Sequence, residues 1–420
     1  MLYFESQTVD CRGESTKGDV PAMKKYIAFI AFLLAAIPVW AIKTISVGQL
    51  EDMLRTMQQD KKSDAEVADA LKQVQLNEEL TVGTMNGLIG NVPGKLTIEQ
   101  IYVLEARSAD LAPPAKDLPS SPAPDAAAQK AILDKTQAYV TGVYMKLPDL
   151  TANKTTVRFQ DNVEAVAASS GVKGSVTDVV TNSGFVNPAS FVHYINSTES
   201  VVSLTGGAEN PPSEKDKTLW GANRMIAVKE PDPSLGAVFQ QAQSAGTLQW
   251  LRWEIVNGKQ VAVFSFAVPK KKTRMAVNIC CFPDVSEAGI ARFYTATSSA
   301  VLGGSGNGGG VMGNMQTNTN WHNFQTTAPY HGRLFIEPST GTVVRMIVEP
   351  ELKISDVVHQ VDTRVDYAPV QVGSSTMIVP VKTVLNTVVV PNGDSQAGSY
   401  STRCTLFTSE YAAYQTAKAK

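Results

Sequence analysis

Beyond residue 150, apolar side chains recur at every second position in one short segment after another. This alternation constrains the fold more than any other feature of the chain. In the segment 260–268, Ala262, Phe264, Phe266 and Val268 fall on one face. Side chains at alternate positions share one face of a β-strand. Because the second face of this segment is also rather apolar, we expect both faces of the resulting sheet to be covered.

These strands are predicted to form one large antiparallel sheet, which makes the chain an α+β protein. The links between most of them are short and rich in turn residues, whereas parallel strands need crossover helices. Residues 233–243 are the one predicted helix among them. The predicted strands are 155–159, 190–194, 200–205, 251–255, 260–268, 275–279, 291–297, 334–336, 343–348, 361–367, 377–384 and 400–408. Gly341, in the turn between two of them, is expected to take the positive φ of a hairpin loop.

Three segments with helical or linker character precede the sheet. Residues 42–111 predict a small helical module. Residues 112–124 read APPAKDLPSSPAP, a composition typical of a semi-extended linker. A long helix over 125–146 then opens the sheet domain, which we place at 125–420. The predicted architecture is therefore a helical module, a linker, and a curled antiparallel sheet packed on helices.

The helices of the module are predicted from their start signals. Ser46, Ser63 and Thr97 each stand three residues before a Gln or Glu. Thr97, for example, precedes Gln100. In a capping box the side chains at these two positions satisfy each other's backbone amides. We therefore expect a helix to begin after each of the three.

The segment 23–41, MKKYIAFIAFLLAAIPVWA, predicts export. It has two lysines, an apolar core over 26–37 and a small-residue ending at Ala41. The apolar run is shorter than the roughly 20 residues that a spanning helix needs. A cleaved signal peptide is the favoured interpretation and an uncleaved anchor the alternative. Residues 1–22, upstream of the signal, are predicted not to belong to the native protein. The mature chain is then periplasmic or extracellular and has no transmembrane span.

Three cysteines follow the signal, which permits one disulfide in an exported chain. They are Cys280, Cys281 and Cys404. Adjacent residues on a strand point to opposite faces, so only one of Cys280 and Cys281 can easily meet Cys404. Cys281 with Cys404 is the candidate pair, and buried free thiols are the alternative.

Three stretches, taken in order, carry a resemblance to known proteins. TLQWLRWEIVNGKQVAVFSFAVPKK holds a Trp-bearing strand, a turn at Asn257-Gly258 and an aromatic strand. HGRLFIEPSTGTVVRMIVEP and VDYAPVQVGSSTMIVPVKTVL follow. The chain thus resembles uncharacterised exported bacterial proteins with a lipoprotein-carrier-like (Lol-type) β-sheet. The resemblance implies an incompletely closed antiparallel barrel over helices, with an apolar concavity that in the carrier family holds acyl chains.

No catalytic or metal motif stands out in the sequence. Gly304–Gly309 fits G-x-G-x-x-G by letter, but the polar residues after it predict a loop rather than the helix of a dinucleotide site. Ser305 lacks the second glycine of G-x-S-x-G, because Asn307 stands there. A dispersed Ser/His/Asp triad would be recognisable only by its geometry. The net charge of −2 favours neither nucleic acid nor anionic membrane. We therefore expect a non-enzymatic protein that has no cofactor or metal and does not bind nucleic acid.

Two functional hypotheses follow. In the first, the sheet binds a lipid or an acylated protein in a cavity lined by Trp253, Phe264, Phe266, Leu334 and Ile336. In the second, the chain is a periplasmic or surface scaffold or interaction protein. Its long helix, through side chains such as Tyr139, Val143 and Tyr144, fills the same space, and a protein partner binds the helical module.

The two tryptophans near the start of the sheet bear on the first hypothesis. Trp250 and Trp253 are three residues apart. On a regular strand they would point to opposite faces, so at most one would face a cavity.

Overall fold

The computed structural model describes residues 43–161, 192–210, 234–273, 276–283, 321–353, 356, 358–389 and 403–417. Over these residues the chain is an α+β protein with six α-helices and a large antiparallel sheet of ten strands. None of the helices in the described ranges has the length and apolar character needed to cross a membrane. The predicted signal peptide, residues 23–41, lies outside the described residues.

Four helices and two three-residue strands form the module that precedes the linker. The helices are α1 (Val47–Gln59), α2 (Asp64–Lys72), α3 (Val82–Ile89) and α4 (Lys95–Arg107). The strands β1 (Lys43–Ile45) and β2 (Val74–Leu76) pair in parallel. Apolar faces of all these elements meet in one core, whose fully buried members include Leu50, Leu71, Leu80 and Ile101. The strands are too short for an alternating pattern to reveal them in the sequence.

Two of the three predicted capping boxes are confirmed. Ser46 and Ser63 each accept a hydrogen bond from the backbone three residues on, and the Gln or Glu there accepts one in return. The prediction for Thr97 is wrong, because α4 begins two residues earlier, at Lys95. The carboxylate of Asp64, on α2, accepts from the backbone amides of Thr97 and the preceding residue at 2.9 and 3.0 Å. The cap of α4 is thus supplied by Asp64 of the neighbouring helix α2, and not by the Thr97 side chain that the local sequence predicted.

The linker leads into the long helix, which is shorter than predicted. Asp125 caps α5 (Ala126–Gly142), and a single 3₁₀ turn, Tyr144–Lys146, follows. Gly142 and the β-branched Val143 are poor helix formers, and Val143 leaves helical geometry with φ −121° and ψ −61°. The helix therefore ends four residues before the predicted position.

In the described ranges after residue 149, twelve strands and one helix follow. The helix α6 (Leu235–Ala245) lies between β5 and β6 in the chain. The strands are β3 (Leu150–Asp161), β4 (Val192–Thr205), β5 (Ala208–Glu209), β6 (Gln249–Val256), β7 (Lys259–Val268), β8 (Ala276–Pro283), β9 (Trp321–Thr327), β10 (Tyr330–Ile336), β11 (Val343–Pro350), β12 (Val358–Val372), β13 (Ser375–Val389) and β14 (Arg403–Thr416). The predicted strands 190–194 and 200–205 are parts of one strand, β4. The predicted strand 291–297 and the Gly-rich segment at 304–309 lie outside the described residues.

Ten of the strands form a single sheet in the order β5-β4-β3-β14-β13-β12-β11-β10-β7-β6. Every pair of neighbours is antiparallel, as the sequence predicts. The sheet does not close, so β5 and β6 are its edges among the described strands. The other two, β8 and β9, form a separate antiparallel ribbon.

Two tight turns follow the sequence prediction. Gly341, between β10 and β11, has φ +76°, as predicted for the hairpin. A Cβ atom there would lie 2.4 Å from the carbonyl carbon of Lys135, so the same glycine lets α5 pass close over the hairpin. Asn257 and Gly258, between β6 and β7, have φ +50° and +75°. Two successive positive φ values are typical of the two-residue turns that join antiparallel strands.

The two faces of the sheet are covered by different parts of the chain. The inner face, which carries Phe264 and Phe266, packs against α5 and α6. The β8–β9 ribbon covers a further part of it, around Val361. The outer face, which carries Val384 and Leu406, packs against α4 of the module. The expectation that both faces are covered is therefore confirmed for these parts of the sheet.

Candidate functional site

Four of the five residues predicted to line a cavity lie side by side on the inner face. Phe264 and Phe266 on β7, and Leu334 and Ile336 on β10, are each at most 3% exposed. They belong to one apolar core that also contains side chains of α5 and α6. Trp253, the fifth residue, is half-buried at the β6 edge and packs against the border of that core.

Side chains of α5, α6 and the turn after α5 lie directly against these strands. Tyr139, Tyr144 and Phe239 are 8%, 1% and 1% exposed and share the core with the four strand residues. The two helices are joined where the amide of Gln243 donates to that of Gln137 at 2.7 Å. Val143, which was expected to point inward with the tyrosines, is 56% exposed because α5 ends before it. Around Phe264, Phe266, Leu334 and Ile336, the inner face is therefore packed by the protein's own side chains.

Two hydroxyl groups in this core have no hydrogen-bond partner among the described residues. Among the described residues, no donor or acceptor lies within hydrogen-bonding distance of the hydroxyls of Tyr139 and Tyr330. Burial raises the pKa of both groups, so they stay protonated. The hydroxyl of Tyr144, by contrast, donates to the carbonyl of Gly207 at 2.9 Å. No described residue compensates the desolvation of these two hydroxyls, so the apolar packing around them must outweigh that cost.

The tryptophans of β6 lie on the same side, so the prediction of opposite faces is wrong. The register with β7 shifts between Trp250 and Arg252, which places an extra residue, Leu251, in β6. A bulge of this kind resets the alternation of side chains. The rings of Trp250 and Trp253 consequently meet edge to face with centroids 4.8 Å apart, and Trp250 also contacts Phe264 at 5.7 Å.

The outer face carries a network of buried charges that the sequence analysis missed. We call it the junction, because it joins the module to the sheet. Its members are Glu79 and Glu105 of the module and Arg345, Arg364 and Asp366 of the sheet. All but Asp366 are at most 7% exposed.

The two arginines of the junction bind carboxylates from both the module and the sheet. Arg345 contacts Glu79 at 3.1 Å and Asp366 at 2.7 Å. Arg364 contacts Asp366 at 2.9 Å and Glu79 at 3.4 Å. Burial alone would raise the pKa of Asp366, but the two guanidinium groups outweigh it and hold that pKa well below the ordinary value. Asp366 is therefore ionised, and the module cannot leave the sheet without exposing unpaired charges on both.

A second cluster of ionisable groups lies beside the junction, where α4 ends. Its carboxylates are Asp110, Glu349 and Asp362, and His331 and Arg333 accompany them. Arg333 donates to the backbone carbonyl of Asp110 and lies 3.5 Å from Glu349. Burial, and then the charge of Glu349, raises the pKa of Asp110 to about 6.

The pKa values of Asp362 and His331, in the same cluster, are also raised. Burial and the neighbouring Asp110 and Glu349 raise the pKa of Asp362 well above the ordinary value. A hydrogen bond to Glu349, 3.0 Å away, raises the pKa of His331. The carboxylates are thus close enough to repel one another, and Asp110 and Asp362 gain protons more readily than an exposed aspartate would.

Metal and disulfide chemistry have no described site. In the ranges that the structure describes, no three His, Cys, Asp or Glu side chains are grouped so that they could hold a metal ion. The side chains of Cys280, Cys281 and Cys404 lie outside the described part of the structure, and only their backbones are placed, on β8 and β14. The pairing of Cys281 with Cys404 stays a prediction.

Comparison with protein-family models, with curated proteins and with solved structures found no match to this chain. The resemblance to Lol-type proteins therefore stays a hypothesis based on the three sequence stretches.

Proposed function

We propose that this chain is an exported, non-catalytic binding protein whose sheet, an open barrel, is filled by its own side chains and whose partner is a protein. One observation carries the proposal: side chains of α5 and α6 occupy the inner face directly over Phe264 and Phe266. An acyl chain could reach these residues only if the helices moved away. Each methylene group it buried would gain roughly 0.8 kcal/mol, but the apolar contacts of Tyr139, Tyr144 and Phe239 would be lost in exchange.

The helical module is the part of the protein that we assign to the partner. Its α4 helix turns one side to the outer face of the sheet, through residues such as Val103 and Ala106. The remaining surface of α3 and α4 exposes apolar side chains, with Val82 at 39%, Leu96 at 50% and Tyr102 at 48%. The junction fixes the module in place, so these side chains are presented on a rigid support. Export, which the segment 23–41 predicts, places this surface outside the cytoplasm.

Native mass spectrometry of residues 42–420, purified from a bacterial periplasm, tests the filled inner face. We expect the mass of the polypeptide alone, no lipid in a solvent extract, and no uptake of added fatty acid or phospholipid. A stoichiometric lipid that exchanges with added lipid would overturn the proposal in favour of an acyl-chain carrier.

Capture of a partner from the same extract tests the module surface. The wild-type chain should retain a stoichiometric protein that Leu96→Glu and Tyr102→Glu both lose. Arg55→Glu, a change at an exposed position on α1, is the control and should retain it. Equal retention by all four proteins would place the partner elsewhere.

A further inference from the structure

We propose that the tryptophan edge of β6 is a docking surface for a proline-rich extended segment of another protein, and that the chain's own linker occupies it as a displaceable strap. The strap is residues 119–124, Pro-Ser-Ser-Pro-Ala-Pro. The aromatic edge is Trp250 and Trp253. The inference rests on the proposed function as a binding protein, but it adds a second binding surface and the chemistry of its partner.

The contact between strap and edge has the chemistry of proline-rich recognition. The indole N–H of Trp253 donates to the carbonyl oxygen of Pro122 at 2.8 Å. Beside it, the hydroxyl of Ser121 donates to the side-chain carbonyl of Gln260 at 3.1 Å. Leu118, the residue just before the strap, has φ −81° and ψ +136°, close to the polyproline II conformation. The strap itself contains P-x-x-P, the spacing that aromatic grooves bind in that conformation.

The aromatic edge presents two adjacent indole rings to such a segment, and the strap leaves much of the surrounding surface exposed. The bulge at Leu251 brings the two indole rings together, edge to face, on one side of β6. The flanking residues Leu251 and Ile255 are 41% and 49% exposed. Residues 120–123 of the strap are themselves exposed. Among the described strands, β6 pairs with β7 alone, so its other edge faces no strand of the described sheet.

The strap can come away without the rest of the protein coming apart. On its N-terminal side the chain is anchored by buried Pro113 and Pro114 and by the ion pair of Lys116 with Glu51, at 3.0 Å. On its C-terminal side Asp125 caps α5. The junction then holds module and sheet together independently of the strap. A second copy of the chain carries the same strap anchored at both ends, which is why we assign the edge to a different protein.

A tethered strap competes with a free peptide at an effective concentration on the order of mM. A labelled peptide with the sequence of residues 117–125, DLPSSPAPD, is the probe, and its fluorescence anisotropy is the readout. Loosening the strap with Pro119→Gly and Pro122→Gly together should tighten peptide binding at least tenfold relative to wild type. In that background, Trp253→Phe removes the indole donor and should weaken binding about fivefold, as the loss of one hydrogen bond predicts.

Two single substitutions keep the inference testable if the double-glycine variant does not fold. Ser121→Ala deletes the bond to Gln260 and should tighten peptide binding, whereas Ser120→Ala, its exposed neighbour, should match wild type. Circular dichroism and thermal unfolding confirm that each variant is folded. Equal binding by all variants, or binding that Trp253→Phe leaves unchanged, would overturn the inference. So would dimerisation of the loosened chain without peptide binding, since a second copy would then be the occupant. Because the readout is peptide rather than lipid, this test and that of the filled inner face can fail independently.

Discussion

The hydroxyl of Tyr144, in the turn after α5, donates to the carbonyl oxygen of Gly207, between β4 and β5, at 2.9 Å. Gly207 has φ +77°, and a Cβ atom on it would lie 2.5 Å from the tyrosine ring. The turn therefore needs glycine both for its backbone and for the space that the ring occupies. Through this contact one end of α5 is fixed to the β5 side of the sheet, and the helix is held over the inner face.

Gly207→Ala should destabilise the protein strongly. The methyl group would both strain a left-handed backbone and collide with the ring of Tyr144, so we expect a loss of about 2–4 kcal/mol in the free energy of unfolding. Chemical denaturation measures it. Gly373→Ala, also at positive φ (+59°) but with open space around the glycine, is the control. Gly373→Ala should lower the free energy of unfolding only by the cost of the strained backbone conformation, about 1 kcal/mol. Equal losses would show that the ring is not held where we place it.

Two tyrosine-to-phenylalanine changes should differ in their effect on the free energy of unfolding. Tyr144→Phe removes a hydroxyl that is hydrogen-bonded and should cost about 1 kcal/mol. Tyr330→Phe removes one of the hydroxyls for which the described residues offer no partner, so stability should stay equal or rise by up to about 1–2 kcal/mol. Thermal or chemical unfolding of the two variants tests this. A clear loss for Tyr330→Phe would reveal a partner, such as a bound water, for that hydroxyl.

Arg364→Ala should separate the module from the sheet. The change leaves Glu79, Glu105 and Asp366 buried with too little positive charge, and breaking a buried ion pair in this way costs about 3–5 kcal/mol. Limited proteolysis should then cleave the linker faster, and the free energy of unfolding should fall. Arg55→Ala, whose ion pair with Asp52 is exposed, is the control and should change stability by less than about 0.5 kcal/mol. An Arg364→Ala protein as stable as the control would contradict a structural role for the junction.

Stability should fall as the pH rises from about 4 to about 8. The pKa of Asp110 is raised from 3.8 to about 6, so its contribution is fully present below pH 4 and declines up to about pH 6. His331 acts in the same direction, because its raised pKa means that its stabilising charge is lost as the pH rises through that value. The pKa of Asp366 is lowered, so its contribution is lost only below about pH 4.

Asp110→Asn tests this pH dependence. At pH 8 it should raise the free energy of unfolding by at most about 3 kcal/mol and reduce the slope between pH 4 and 6, to which Asp362 also contributes. Asp52→Asn, an exposed aspartate on α1, should leave the slope unchanged. An undiminished slope in Asp110→Asn would assign the whole pH dependence to other groups.

The sheet was predictable from the sequence because its signal is local. Strands such as β7 bury alternate residues on one face, and turns such as Asn257-Gly258 need specific backbone angles, so both leave marks in neighbouring positions. The end of α5 and the cap of α4 were less predictable. The first depends on competing propensities at Gly142 and Val143, and the second on Asp64, which is distant in the chain.

The junction and the aromatic edge could not be located from sequence alone. Arg345, Arg364 and Asp366 are charged residues inside predicted strands, but the module carboxylates that pair with the two arginines, Glu79 and Glu105, lie far away in the chain. The bulge at Leu251 has no local signature and reverses the side on which Trp250 would be expected. Long-range contacts and register shifts are set by the whole fold, and for this reason they escaped the prediction.

Amide hydrogen exchange along α5 tests the filled inner face most directly. If α5 is an integral part of the core, the amides of residues 132–140 should exchange as slowly as those of β10 and β11, with an opening free energy equal to that of global unfolding. Exchange in α5 that is orders of magnitude faster than in those strands, and that slows when fatty acid is added, would contradict this account. The helix would then be a lid over a ligand site.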